Sequence, residues 1–221
     1  RGAGPATAGP GAMPAAQSAR GRKVLLIDHE DSFVHTLAGY IRTTGAEVTT
    51  LRHDFARAQL KGGLRPDLVV LSPGPGRPKD FAIGETLDLL LERGIPVFGV
   101  CLGLQGIVEY FGGLLSVLEV PMHGKPSVVR ALPGRLLRGL PERFTIGRYH
   151  SLYAVREGLP AVLKVVAETE DDGVVMAIEH VSLPIAAVQF HPESVMTSPA
   201  EIGMPIIEAA LALLCEPAAV E

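Results

Sequence analysis

The sequence predicts an α/β protein: a mostly parallel sheet with helices on both faces, plus an antiparallel extension at its edge. Three observations point there. From Lys23 onward, short apolar runs alternate with helix-length stretches, the spacing of right-handed strand–helix–strand crossovers. The first-half runs are continuously apolar, as strands buried on both faces must be. In the second half the runs become short and often alternate with polar residues, which suits antiparallel strands.

The elements follow in order along the chain. Residues 24–27 predict a first strand ending at Asp28. Ser32 can cap a helix reaching about Thr44, with Phe33, Leu37, Tyr40 and Ile41 on one face and Gly45 as its stop. Residues 47–51 predict a second strand. Residues 68–71 predict a third, halted by Ser-Pro-Gly-Pro-Gly at 72–76, where two prolines forbid continuation of ladder or helix. Residues 83–93 read as a helix closed by Gly94. Residues 96–100 predict a fourth strand and 103–111 the helix after it, closed by Gly112-Gly113. Residues 114–120, 127–130, 144–147, 162–169, 174–180 and 185–189 are the antiparallel candidates, expected around the sheet edge. Residues 199–214 form a last amphipathic helix. No internal repeat is visible.

Residues 1–22 are dominated by Ala, Gly, Pro and small polar residues without an apolar period. Such a stretch cannot offset the entropy of ordering and predicts a flexible linker or tether. The expected domain is residues 23–221. A start at Arg1 rather than Met, followed by a linker, favours a piece cut from a longer chain over a cloning product.

Composition narrows the function classes. With 47% hydrophobic and 20% charged residues the chain can bury a substantial core. A net charge of −4 gives no general electrostatic reason to bind nucleic acid or an anionic membrane. The longest apolar runs fall far short of the ~20 residues a spanning helix needs, and no signal peptide is visible. Two cysteines, Cys101 and Cys215, are too few for a disulfide framework. A cytoplasmic enzyme is expected.

Three motifs fall where ligands bind in open parallel sheets, outside the carboxyl ends of strands. Gly-Val-Cys-Leu-Gly at 99–103 lies between an apolar strand and a helix. A nucleophile on such a turn sits in strained backbone, and the helix N-terminus favours thiolate over thiol. Cysteine is also a common buried small hydrophobe; Cys215, on an Ala/Leu-rich helix, is read that way. Gln-Phe-His-Pro-Glu at 189–193 follows an apolar run. A thiolate needs a base to move protons, and the base an orienting carboxylate; His191 and Glu193, two apart at a strand end, can point to one side. His29, His35, His53 and His180 lack such a context and are expected to be surface or structural. The turn at 72–76 is either an ordinary loop or a source of backbone N–H groups for a developing oxyanion. No phosphate-loop spacing is present, and no metal-ligand cluster.

Together these motifs resemble the class I, triad-type glutamine amidotransferases, over about residues 23–214. The resemblance implies a flavodoxin-like arrangement of the sheet and assigns roles residue by residue. Cys101 is then the nucleophile that forms a γ-glutamyl thioester, with His191 as base and Glu193 as its orienter. Gly76 and the N–H of Leu102 form the oxyanion hole. Gly74, Gln105 and the Tyr-His-Ser-Leu segment, through His150, Ser151 and Leu152, hold the substrate glutamine. Asp-Ser-Phe at 31–33, the 72–76 turn, His-Gly-Lys at 123–125 and Tyr-His-Ser-Leu at 149–152 are most similar to the glutaminases of anthranilate and aminodeoxychorismate synthases.

Two departures stand out. The family usually has His where this chain has Leu104, and Asn-Tyr where it has His29-Glu30 before Asp31. Both look like the form in which the glutaminase is fused behind the chorismate-binding synthase, and residues 1–22 would suit a tether to it. The resemblance implies no cofactor in this domain, with chorismate and Mg²⁺ on the synthase partner or fused N-terminal domain. Alternatives remain at this point. The ammonia can serve aminodeoxychorismate or a phenazine precursor; the chain can be a stand-alone γ-glutamyl thiol hydrolase; or it can be a non-catalytic domain, which a complete triad disfavours.

Overall fold

The computed structural model describes residues 19–194, 197 and 202–215. Residues 1–18 of the expected tether and residues 199–201 of the expected last helix lie outside them. Residues 19–22 make a turn against the domain: Ala19 is buried and its N–H donates to the Thr44 carbonyl. The packed structure therefore starts before Lys23.

Five strands run parallel. β1 (Lys23–Asp28) pairs with β2 (Glu47–Arg52) on one side and β3 (Leu68–Leu71) on the other. β3 pairs with β4 (Val97–Val100), and β4 with β11 (Ile185–Val188). The sheet then continues antiparallel through β10 (Val175–His180), β9 (Leu163–Thr169), β6 (Lys125–Ala131) and β7 (Arg143–Arg148), nine strands in the order β2-β1-β3-β4-β11-β10-β9-β6-β7. The expected α/β fold with an antiparallel extension is present, with one correction. β11 was expected among the antiparallel edge strands. It is parallel to β4 and central, the seam between the two halves. Its run, Ile-Ala-Ala-Val, is buried throughout, the pattern of an interior strand.

Helices cover both faces. α1 (Val34–Thr43) and α5 (Gly203–Cys215) pack with Val24, Leu26, Val70 and Val100 on one face. α2 (His53–Lys61), α3 (Ile83–Glu92) and α4 (Leu102–Tyr110) pack with Leu25, Ile27, Val69, Leu71 and Val97 on the other. Alternate residues of each strand thus serve opposite layers, as the pleat requires.

Three expectations shift. Ser32 does not cap α1: the helix starts at Val34 with Phe33 at its N-cap, and Asp31 Oδ1 accepts the Phe33 N–H at 2.7 Å. The aspartate one residue before Ser32 takes that donor. α2 has no counterpart in the predicted elements because only Ala56 and Leu60 are buried, a stripe too thin to register as an apolar period. The predicted strand at 114–120 shrinks to β5 (Leu115–Val117), which leaves the main sheet and pairs with β8 (Leu152–Ala154).

Candidate active site

Cys101 sits between β4 and α4 with φ 53° and ψ −99°, left-handed backbone that non-glycine residues rarely adopt. Close approach forces the kink. A Cβ on Gly99 would lie 2.7 Å from the Gly103 carbonyl carbon, and one on Gly103 would lie 2.6 Å from the Leu71 carbonyl oxygen. Two bare backbones therefore press α4 onto β4 and β3, and the chain must turn sharply at Cys101. Leu102 is the first residue of α4, so its N–H is one that helix geometry leaves unpaired. Leu104 is fully buried in the apolar layer.

β11 delivers the second group. His191 and Glu193 are buried, and the imidazole Nδ1 donates to Glu193 Oε1 at 2.8 Å. Cys101 lies close enough to the same ring to act on its charge. Burial opposes the charged imidazolium, but Cys101 and the hydrogen-bonded Glu193 outweigh it and push His191 up to about 10. Phe33 and Tyr149 each place a ring centroid 5.1 Å from the imidazole, so the Asp-Ser-Phe motif supplies a wall for the histidine. Behind it, Thr197 Oγ1 donates to the His191 carbonyl at 2.8 Å and accepts the Gly147 N–H at 3.0 Å.

The mouth is a cleft of about 160 Å³ lined by Gly74, Pro75, Gly76, Cys101, Gln105, Tyr149, His150, Ser151 and Leu152. Three distant stretches meet here, at the carboxyl ends of β3, β4 and β7. Gly76 has φ +71°, and Asp80 Oδ2, which accepts the Arg77 N–H at 2.8 Å, closes its turn. Gln105 Nε2 donates to the Leu152 carbonyl at 3.1 Å and to Gln189 Oε1 at 3.3 Å. His150 lines the cleft with both ring nitrogens engaged inside the protein. Nδ1 contacts the Leu152 carbonyl at 2.8 Å and Nε2 contacts Arg148 Nε at 3.2 Å. Burial first, then the nearby Arg148 and His191 charges, depress it to about 4 against the opposing Leu152 carbonyl.

The substrate candidates Gly74, Gln105, His150, Ser151 and Leu152 and the oxyanion candidate Gly76 line the cleft with Cys101. Leu102 follows Cys101 at the start of α4, and His191 lies beside Cys101 with Glu193 bonded to its ring. Reading the sequence missed Gln189, whose Nε2 donates to Cys101 Sγ at 3.5 Å. Its signal was present, since it opens the Gln-Phe-His-Pro-Glu motif directly after β11, two residues before His191. Size does not mark the site. A depression of about 570 Å³ around Arg135, Lys164 and Glu179 is larger, but Glu179 spends its oxygens on the N–H groups of Arg135 and Leu136.

The family model for glutamine amidotransferase class-I matches residues 25–202. The chain is 62% identical over 196 residues to the anthranilate synthase of Azospirillum brasilense, covering 88% of this chain and 26% of that protein. It spans about a quarter of that relative's length. It is also 44% identical over 186 residues to anthranilate synthase component 2 of the same organism, covering 84% of this chain and 93% of that one. With component 2 of Methanocaldococcus jannaschii the identity is 40% over 184 residues, 83% and 91% of the two chains. A solved glutamine amidotransferase from Thermotoga maritima shares the fold, with TM-score 0.69, 17% identity, and coverage of 89% of this chain and 99% of that one. A match across residues 25–202, on a fold that gathers the motifs at one cleft, places the chain in the class-I glutamine amidotransferases, homologous to anthranilate synthase component 2.

Proposed function

We propose that the chain hydrolyses glutamine to glutamate and ammonia through a thioester on Cys101, and that the ammonia feeds a chorismate-using synthase making anthranilate. The observation that carries the chemistry is the His191 ring, hydrogen bonded to Glu193 and set beside Cys101, whose charge acts on it. The Cys101 sulfur attacks the side-chain amide carbon of glutamine, and the carbonyl electrons move onto oxygen. The N–H groups of Gly76 and Leu102 receive that oxyanion. As the C–N bond breaks, His191 gives its proton to the departing ammonia; it then takes one from the water that opens the thioester. Glu193 holds the ring and stabilises its charged form. Gly74, Gln105, Ser151 and Leu152 hold the amino-acid end of the substrate, with His150 fixing the Leu152 carbonyl.

The relatives named anthranilate synthase component 2 support the destination of the ammonia. In this proposal chorismate and Mg²⁺ belong to a synthase subunit or a fused N-terminal domain, and the residues before Ala19 serve as a tether. Cys101 and Cys215 are free thiols, and a thiol nucleophile suits the reducing cytoplasm. Among the described residues no helix is long and apolar enough to cross a membrane. Cys101→Ala is expected to lower glutamate release by roughly 10⁴-fold or more; a variant retaining a tenth of the activity overturns the mechanism. Glutamine-dependent anthranilate formation with a chorismate-binding synthase tests the destination. Its absence, with glutaminase activity intact, overturns that half alone.

A further inference from the structure

Arg148, at the end of β7, is the largest fully buried side chain of the protein's described residues. Its Nη1 donates to Asp172 Oδ2 at 3.0 Å, in the hairpin between β9 and β10. Its Nε donates to His150 Nε2 at 3.2 Å. A guanidinium can only donate, so that nitrogen must accept, and His150 must carry its proton on Nδ1. That proton goes to the Leu152 carbonyl at 2.8 Å. The carbonyl also accepts Gln105 Nε2, which donates to Gln189 Oε1, while Gln189 Nε2 donates to Cys101 Sγ. An unbroken file of hydrogen bonds therefore runs from a half-exposed surface carboxylate to the sulfur.

The direction of each link follows from chemistry rather than from assigned hydrogens. Arg148 fixes the tautomer of His150, and the histidine orients the Leu152 carbonyl. The carbonyl then decides which end of the Gln105 amide faces it. Stability alone does not account for this arrangement. Arg148 Nη2 is buried without a hydrogen-bond partner among the described residues, and a buried guanidinium with an idle arm is a net cost that an apolar residue would avoid. We infer that Arg148, anchored by Asp172, is a positioning residue for the glutamine-binding wall, acting through His150, Leu152 and Gln105. The inference rests on the glutaminase reading for its kinetic consequence but not for its structural one.

Arg148→Lys keeps the charge but loses the fork that reaches His150 and Asp172 together. Its KM for glutamine is expected to rise at least tenfold, with kcat within about threefold, because each charge-assisted bond to a wall is worth roughly a factor of ten. Asp172→Ala, on the surface, is expected to raise KM severalfold and to leave the fold intact. ¹⁵N NMR of His150 is the readout independent of activity. The full chain should show the neutral Nδ1–H form, and both variants should shift toward Nε2–H or exchange between tautomers. Unchanged KM and unchanged His150 signals in Asp172→Ala overturn the inference, as does a loss confined to kcat. If Arg148→Lys does not fold, the Asp172→Ala spectrum decides. An unsubstituted chain with no glutaminase activity but the expected His150 spectrum would refute the function and keep the relay.

Discussion

At the scale of single residues, the site is governed by where each polar atom must go. Gln189 is held by Gln105 at one end of its amide and points its Nε2 at Cys101 Sγ. A donor aimed at a sulfur stabilises the negative charge the sulfur carries when it attacks and leaves, and a hydrogen bond to a charged group contributes about 1.5–3 kcal/mol. Gln189→Leu is accordingly expected to lower kcat/KM roughly ten- to a hundredfold and to slow alkylation of Cys101 by iodoacetamide near neutral pH. Alkylation at the unsubstituted rate would show that the amide does not act on the sulfur. His29 is a different case, read from the sequence as surface or structural. It is fully buried, with its N–H on Ser72 Oγ at 2.9 Å and its ring against Phe81. It supports the start of the 72–76 turn from behind.

At the scale of elements, the strand–turn–helix around Cys101 depends on two backbones touching. The 2.6 Å that would separate a Gly103 Cβ from the Leu71 carbonyl leaves no room for a methyl group, and backbone cannot yield as a flexible side chain does. Gly103→Ala is expected to push α4 off β3 and destabilise the protein by roughly 1–3 kcal/mol. At about 2–4 °C per kcal/mol for a chain of this size, a calorimetric melt should register it; glutaminase activity should fall further than the melt implies, because the Leu102 N–H moves with the helix. A variant with unchanged Tm and activity would show that the contact is soft. The same elements explain the misplaced strand: nothing local in Ile-Ala-Ala-Val states its direction, which its pairing with β4 settles.

At the scale of the whole molecule, buried histidines set the response to pH. His29 is lowered to about 3, chiefly by burial and also by the His53 and Arg57 charges, against a Ser72 hydrogen bond. His150 is lowered to about 4. Both are neutral in the fold and protonate more readily when the chain unfolds. Their contribution is complete above 6.5 and is lost as pH falls toward 4 and 3, at about 1.4 kcal/mol per unit for each group. His191 works the other way: its contribution is present below 6.5 and lost as pH rises through about 10. Stability should therefore peak near pH 6.5, falling on the acid side as His29 and His150 lose their contributions and on the alkaline side as His191 loses its own. Between about pH 7 and about pH 5 the Tm is expected to drop by several degrees, and His29→Asn, which cannot titrate, should lose fewer. Equal losses in both proteins would show that His29 does not carry the acid sensitivity.

The sequence alone determined four of the five parallel strands and the strand–helix turn at Cys101, and led to the expectation that the three motifs meet. Apolar runs, prolines and glycines act locally, and strand ends are where such motifs meet. Its motifs contain every residue that lines the cleft, but they gave no role to Gln189 or to the buried Arg148. Only the tertiary structure decided the rest: β11 at the centre, α2 in the apolar layer, and the file from Asp172 to the sulfur. Those depend on which distant groups become neighbours once the sheet forms. Direction of pairing, and the partner of a buried donor, are properties of packing that no local pattern encodes.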